Sequence, residues 1–272
     1  MKRLAEYARY VMQVVRGLGF DPTESSRLAQ MRDILSRKEF ILETDQDFEV
    51  ACEAQRDLTM LKFAFDQLSA QYGQQHFRDK ARLIVQDLAL PQNCKDRTPG
   101  RDAQTELYIA GVCQAAGLKP RSSEPDIVVD FNGQVYGLAV KRLKNLKRLE
   151  EHFKKAVSQI GKSRIPGFVV LDLAMAANRQ NTRFPGGDED FSLFEKERFS
   201  FLQSYTNKFK DWRKGQDVRG VLVLDLVLWR LDQQGRWAFR QFEAFLNLDP
   251  LKQSEAKAFF ETFKQGIPDL AN

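Results

Sequence analysis

Hydrophobic positions recur at three- and four-residue spacing through the first third of the chain. The pattern predicts helices over an opening segment ending at Gly17-Leu18-Gly19, over 23–37, around 48–72 and over 75–88. Thr23, after Asp21-Pro22 and three residues ahead of Ser26, is a start signal, and Gly17 and Gly19 are stops. Residues 1–95 therefore read as an all-helical accessory region without a chemical motif. Packing, self-association and recognition of a partner protein all remain open for it. The stretch 90–101, with Pro91, Asn93, Pro99 and Gly100, marks a boundary, and 96–272 reads as a second domain.

In that second domain the period alternates between helix and strand. A helix over 101–116 ends at Gly117, where a left-handed residue commonly terminates a helix. Residues 124–143 then read as a β-hairpin around Asn132-Gly133, the dipeptide that most readily takes both positive φ angles of a type I′ turn. Leu146, Leu149, Phe153, Ala156, Val157 and Ile160 mark an amphipathic helix ending near Gly161, and 166–175 is apolar on both alternations, as a central strand would be. Residues 178–190, with Pro185-Gly186-Gly187, read as a loop, either a lid over a substrate or a surface insertion. A helix follows over 191–212, whose aromatic side fits core packing better than base stacking. Strands over 219–231 and 237–248 around a Gln-Gln-Gly turn precede a closing helix over 254–266. This order describes an α/β sandwich.

A two-residue turn fixes the hairpin register. If Phe131 faces Gln134, then Asp130 faces Val135, Asp126 faces Ala139 and Glu124 faces Lys141. Facing and diagonal neighbours then gather Asp126, position 139 and Lys141 on one sheet face. Lys141 is the only lysine on a face otherwise built of Gly, Ala, Val and Leu, so its stem either snorkels to water or serves a site. On the preceding helix, Glu106 shares a stripe with Ile109, Ala110 and Cys113, which calls for a partner or an exit to solvent.

Composition narrows the chemistry. The 272 residues, 43% of them hydrophobic, can bury a sizeable core. No run of about 18 apolar residues occurs, and the opening M-K-R-L-A-E-Y lacks the apolar stretch of a signal peptide, so a cytoplasmic location off the membrane is expected. Three scattered cysteines suggest neither a disulfide framework nor a zinc site. His76 and His152, the only histidines, fall on polar helix faces, which leaves carboxylates and lysine to carry any catalysis. Between Lys141 and Arg164, nine basic residues stand against Glu150 and Glu151, a local charge of +7 within a chain of net charge +5. That patch, with Arg142, Lys144, Lys147, Arg148, Lys154 and Lys155 at its centre, is either a solvated helix face or a nucleic-acid surface.

Glu106 on a helix, Pro125-Asp126 opening a strand, Val140-Lys141-Arg142 on the next, and a basic helix with Gln159-Ile160 resemble, in that order, the PD-(D/E)xK nucleases of the restriction-endonuclease-like superfamily. The resemblance spans roughly 98–175 and implies an αβββαβ core with a mixed sheet. It implies magnesium- or manganese-dependent hydrolysis of phosphodiesters, DNA before RNA, in restriction or defence against phage. By resemblance, Asp126 binds the metal with the acid of the (D/E)xK motif and the Val140 carbonyl, and Lys141 positions or deprotonates water. Glu106 orients the site or reaches the metal through water, and Gln159 contributes from the following helix.

This chain departs from the pattern at Ala139, where the family places a carboxylate. Three accounts stand: a natural pseudonuclease binding nucleic acid or protein, a carboxylate moved elsewhere such as Glu124, or an engineered substitution that silences an endonuclease. The last is favoured, and the first is the alternative.

Overall fold

The computed structural model describes residues 2–36, 45–87, 98–177, 187–230 and 237–268. The expected boundary at 95/96, most of the 178–190 loop and the Gln-Gln-Gly turn lie outside them. The chain divides into two compact units, Met1–Gly111 and Val112–Asn272.

The first unit is helical: α1 (Lys2–Gly17), α2 (Arg27–Leu35), α3 (Asp45–Gln67), α4 (Gln75–Ile84) and most of α5 (Pro99–Ala115). Ser26 caps α2, its hydroxyl accepting the Ala29 N–H at 3.3 Å, so the start signal lies three residues beyond Thr23. Val11, Val15, Leu28, Leu58, Phe65 and Phe77 form its core. Beside that core lies a buried polar network in which Asp57 accepts from Arg27 at 3.0 Å, Arg101 at 3.1 Å and Gln104 at 2.9 Å. Asp87 accepts from the backbone N–H groups of Gly100 and Arg101 at 3.2 and 2.8 Å, capping α5.

The second unit is built on one six-stranded mixed sheet in the order β1 (Arg121–Ser123), β2 (Asp126–Phe131), β3 (Gln134–Arg142), β4 (Gly167–Asp172), β5 (Val218–Arg230), β6 (Trp237–Asn247). Strands β1, β2 and β3 form an antiparallel meander, β4 runs parallel to β3, β5 parallel to β4, and β6 antiparallel to β5. The crossover from β3 to β4 is α6 (Leu149–Ser163); α7 (Ala174–Ala177) and α8 (Gly187–Trp212) connect β4 to β5, and α9 (Gln253–Gln265) follows β6. The protein is thus α/β, as its periodicities predict. Strand β4 is buried along its whole length, as its continuous apolar run requires.

Side-chain alternation gives the sheet two apolar faces. Ala139, Leu143, Val169, Leu171, Val221 and Val223 pack with Phe153, Ala156 and Ile160 of α6 and with Leu202 and Phe209 of α8. On the other face Tyr136, Phe168 and Phe259 of α9 form a ring cluster, Phe168 stacked on Phe259 at 4.3 Å. Among the described residues no helix is long and apolar enough to cross a membrane.

Candidate active site

The hairpin turn sets the site. Asn132 and Gly133 take φ angles of 51° and 77°, and the register follows as expected: Phe131 faces Gln134, Asp130 faces Val135, and the ladder runs back to Ile127 facing Leu138. Asp126 begins β2 one residue beyond that last pair, on the face that carries Ala139 and Lys141. The short β1, which the sequence reading leaves out, pairs Ser123 with Asp126 and covers the outer side of β2. Gly137 has a steric reason to be glycine: a Cβ there would lie 2.7 Å from the ring of Pro125. Proline and strand meet because that side chain is absent.

Asp126 is the hub. One carboxylate oxygen, Oδ2, accepts from the Val140 N–H at 2.8 Å and from Lys141 Nζ at 3.0 Å. The other, Oδ1, accepts from Gln159 Nε2 at 3.1 Å, and the same amide reaches the Pro125 carbonyl at 3.0 Å. Lys141 Nζ also donates to the Val140 carbonyl at 2.8 Å. The side chains of Lys141 and Asp126 are 16% and 14% exposed, so the pair is sheltered but open to solvent on one side. Both hydrogens of the Gln159 amide are engaged, while Gln159 Oε1 is a buried acceptor with no donor among the described residues. Thus Asp126, the Val140 carbonyl, Lys141 and Gln159 come together from β2, β3 and α6.

No family model, curated protein or solved structure matches this chain. The site therefore stands on its geometry.

Two other expected members have surroundings of their own. Glu106 belongs to the first unit and forms an ion pair with Lys80 of α4, which accounts for a carboxylate on a largely apolar stripe. Ala139 has 0% exposure and sits in the apolar cluster between β3 and α6, so position 139 offers a methyl group packed among hydrocarbon.

The basic patch is also weaker than its formal charge. Arg142 is buried, with its guanidinium 3.7 Å from Asp172 and from the Met175 sulfur, because the alternation that sends Lys141 to one face sends Arg142 to the other. It is not part of an exposed surface. Arg148 grips Glu151 through two bonds of 2.9 and 2.8 Å, Lys155 meets the same carboxylate at 2.6 Å, and Lys154 pairs with Glu150. The two cations hold Glu151 down at a pKa of about 2. Lys147 and Arg164 are exposed and have no acidic partner among the described residues.

His152 is half-buried on α6, seven residues before Gln159 and so on the same helical stripe. Burial, with the cations Arg148, Lys155 and Lys141 around it, lowers its pKa, against the opposing pull of Glu151. The sequence reading, which set both histidines aside as polar helix positions, passes over this neighbour of Lys141.

The fit of a divalent metal can be judged from the donors. Asp126 supplies one carboxylate, the Val140 carbonyl and Gln159 Oε1 add neutral oxygens, and Lys141 adds a positive charge. Among the described residues no three His, Cys, Asp or Glu side chains gather as a metal-holding group. A magnesium site with one carboxylate, already engaged by three N–H donors, and an ammonium at its centre does not fit. The Lys141 ammonium itself bridges Asp126 Oδ2 and the Val140 carbonyl.

Proposed function

We propose that the second unit is a nuclease-type domain of the PD-(D/E)xK kind that engages a phosphodiester of DNA at Asp126, Lys141 and Gln159, and that with alanine at 139 it holds DNA without metal-dependent cleavage. The observation that carries this reading is the convergence of Asp126, the Val140 carbonyl, Lys141 and Gln159 at hydrogen-bond distance. Within that unit the element order β1-β2-β3-α6-β4, three antiparallel strands, a crossover helix and a parallel strand, supports it.

The residues divide the work. Lys141 Nζ, a donor with three hydrogens and two acceptors, has one left for a phosphate oxygen. Asp126 holds the ammonium in place, and Gln159 holds Asp126. Hydrolysis needs further charge compensation as the pentacovalent phosphorus forms, and one ammonium balanced by one carboxylate supplies little of it. A Glu at 139 would add the missing donor.

The test is duplex binding by fluorescence anisotropy with magnesium present, beside a cleavage assay on the same DNA. The expected result is binding without strand scission, weakened at least fivefold by Lys141→Met, a variant whose fold is checked by its melting curve. Equal binding by a folded Lys141→Met variant would remove the site from any role in DNA recognition.

A further inference from the structure

A second feature of the same unit lies on another flank of α6. There Lys154, Ser158 and Lys162 face Trp212 at the end of α8 and Lys214 and Gln216 in the turn that leads to β5, around a cavity of about 400 Å³. The turn is fixed by backbone geometry: Lys214 and Gly215 take φ angles of 48° and 74°, and the Gln216 N–H donates to the Arg213 carbonyl at 2.9 Å. Gly161 shapes the floor, since a Cβ there would meet Gln216 Oε1. The glutamine side chain lies across the helix over the space that the glycine leaves.

The lining groups point to one class of ligand. Lys162 and Lys214 have no acidic partner among the described residues, and the Trp212 indole N–H donates to no described group. Phe153, Tyr205 and Phe209 stand at 5.9, 6.2 and 5.7 Å from the indole, all tilted or edge-on, so none stacks on its face. Two ammonium groups suit a phosphate, an indole suits a base, and an amide and a hydroxyl suit the base edge or sugar. An apolar ligand would make no use of the exposed ammonium groups of Lys162 and Lys214, and a bare phosphate would make no use of the part of the Trp212 indole that its packing on the core leaves open. The volume falls in the range of small-ligand sites.

We propose that this cavity binds a nucleoside 5′-monophosphate unit, with its phosphate between Lys162 and Lys214 and its base against Trp212. The unit comes either from a free nucleotide or from the 5′-phosphorylated end of a single strand. The inference is independent of the Asp126 site.

Titration of the full chain with thymidine 5′-monophosphate, followed by tryptophan fluorescence and by calorimetry, tests it. The expected result is saturable quenching that Trp212→Phe removes and that Lys162→Ala with Lys214→Ala weakens at least tenfold in calorimetry, while Lys141→Met leaves it unchanged. Thymidine without phosphate should bind at least tenfold more weakly. A 5′-phosphorylated oligothymidylate that outcompetes the mononucleotide assigns the site to strand ends, and equal competition assigns it to free nucleotides. Absence of saturation at millimolar nucleotide, or equal affinity in the folded double-lysine variant, would overturn the proposal. A wild-type affinity for Lys141→Met would show that this site stands whatever the outcome at Asp126.

Discussion

Lys141 holds two acceptors at once, the Asp126 carboxylate at 3.0 Å and the Val140 carbonyl at 2.8 Å, in a pocket with little access to water. Truncating it leaves a sheltered carboxylate with two neutral donors. Lys141→Met should therefore cost about 1–3 kcal/mol, read as a lower urea midpoint with an unchanged slope. Gln159→Glu tests the same hub from the other side. It replaces an amide 3.1 Å from Asp126 by a second carboxylate, which should lower the melting temperature in chelator and recover much of the loss in millimolar magnesium. An equal loss with and without magnesium would show that the pocket cannot admit the ion.

These residues were legible in unequal measure. Asp126 and Lys141 could be brought together from sequence because a two-residue turn leaves one register, and strand parity does the rest. The same parity separates Arg142 from Lys141, so its burial could have been read as well. The partner of Glu106 could not, because Lys80 is 26 residues away on another helix and no local pattern links them.

At the scale of elements, α6 joins the site to the basic surface. Its exposed flank is a ladder of ion pairs at three- and four-residue spacing, so formal charge overstates what it offers a polyanion. On the stripe that carries Gln159, His152 has a pKa lowered chiefly by burial. A base with a lowered folded pKa binds fewer protons folded than unfolded. Its contribution is fully present above the unfolded pKa, near 6.5, and is lost as pH falls toward the folded value. Melting temperature should thus fall between pH 7 and pH 5 in the wild type, and His152→Gln should flatten that fall. An identical slope in the variant would place the pH sensitivity elsewhere. The long strands and helices of this unit follow from periodicity, whereas β1 does not, because three polar residues, Arg121–Ser123, carry no alternation to read.

The whole molecule comprises a helical unit with a buried Asp57–arginine network and a sheet unit that carries both candidate sites. The division inside α5 has no composition signal, since α5 is one continuous helix. If DNA lies along α6, the dependence of affinity on salt should report the unpaired cations more than the paired ones. Lys147→Glu with Arg148→Glu should reduce the log–log salt slope by about 1, because Arg148 is already held by Glu151. An unchanged slope would mean that this surface is solvated and nothing more.

The central claim is that one missing carboxylate separates this site from a working nuclease, and Ala139→Glu tests it most directly. Position 139 is sealed in hydrocarbon, so the variant should lose several kcal/mol in chelator, measured by its melting curve, and regain part of that in magnesium. Supercoiled plasmid incubated with the folded variant should be nicked only when magnesium or manganese is present, and Lys141→Met in the same background should abolish nicking. A folded Ala139→Glu protein that neither binds the ion nor cuts DNA would contradict the account.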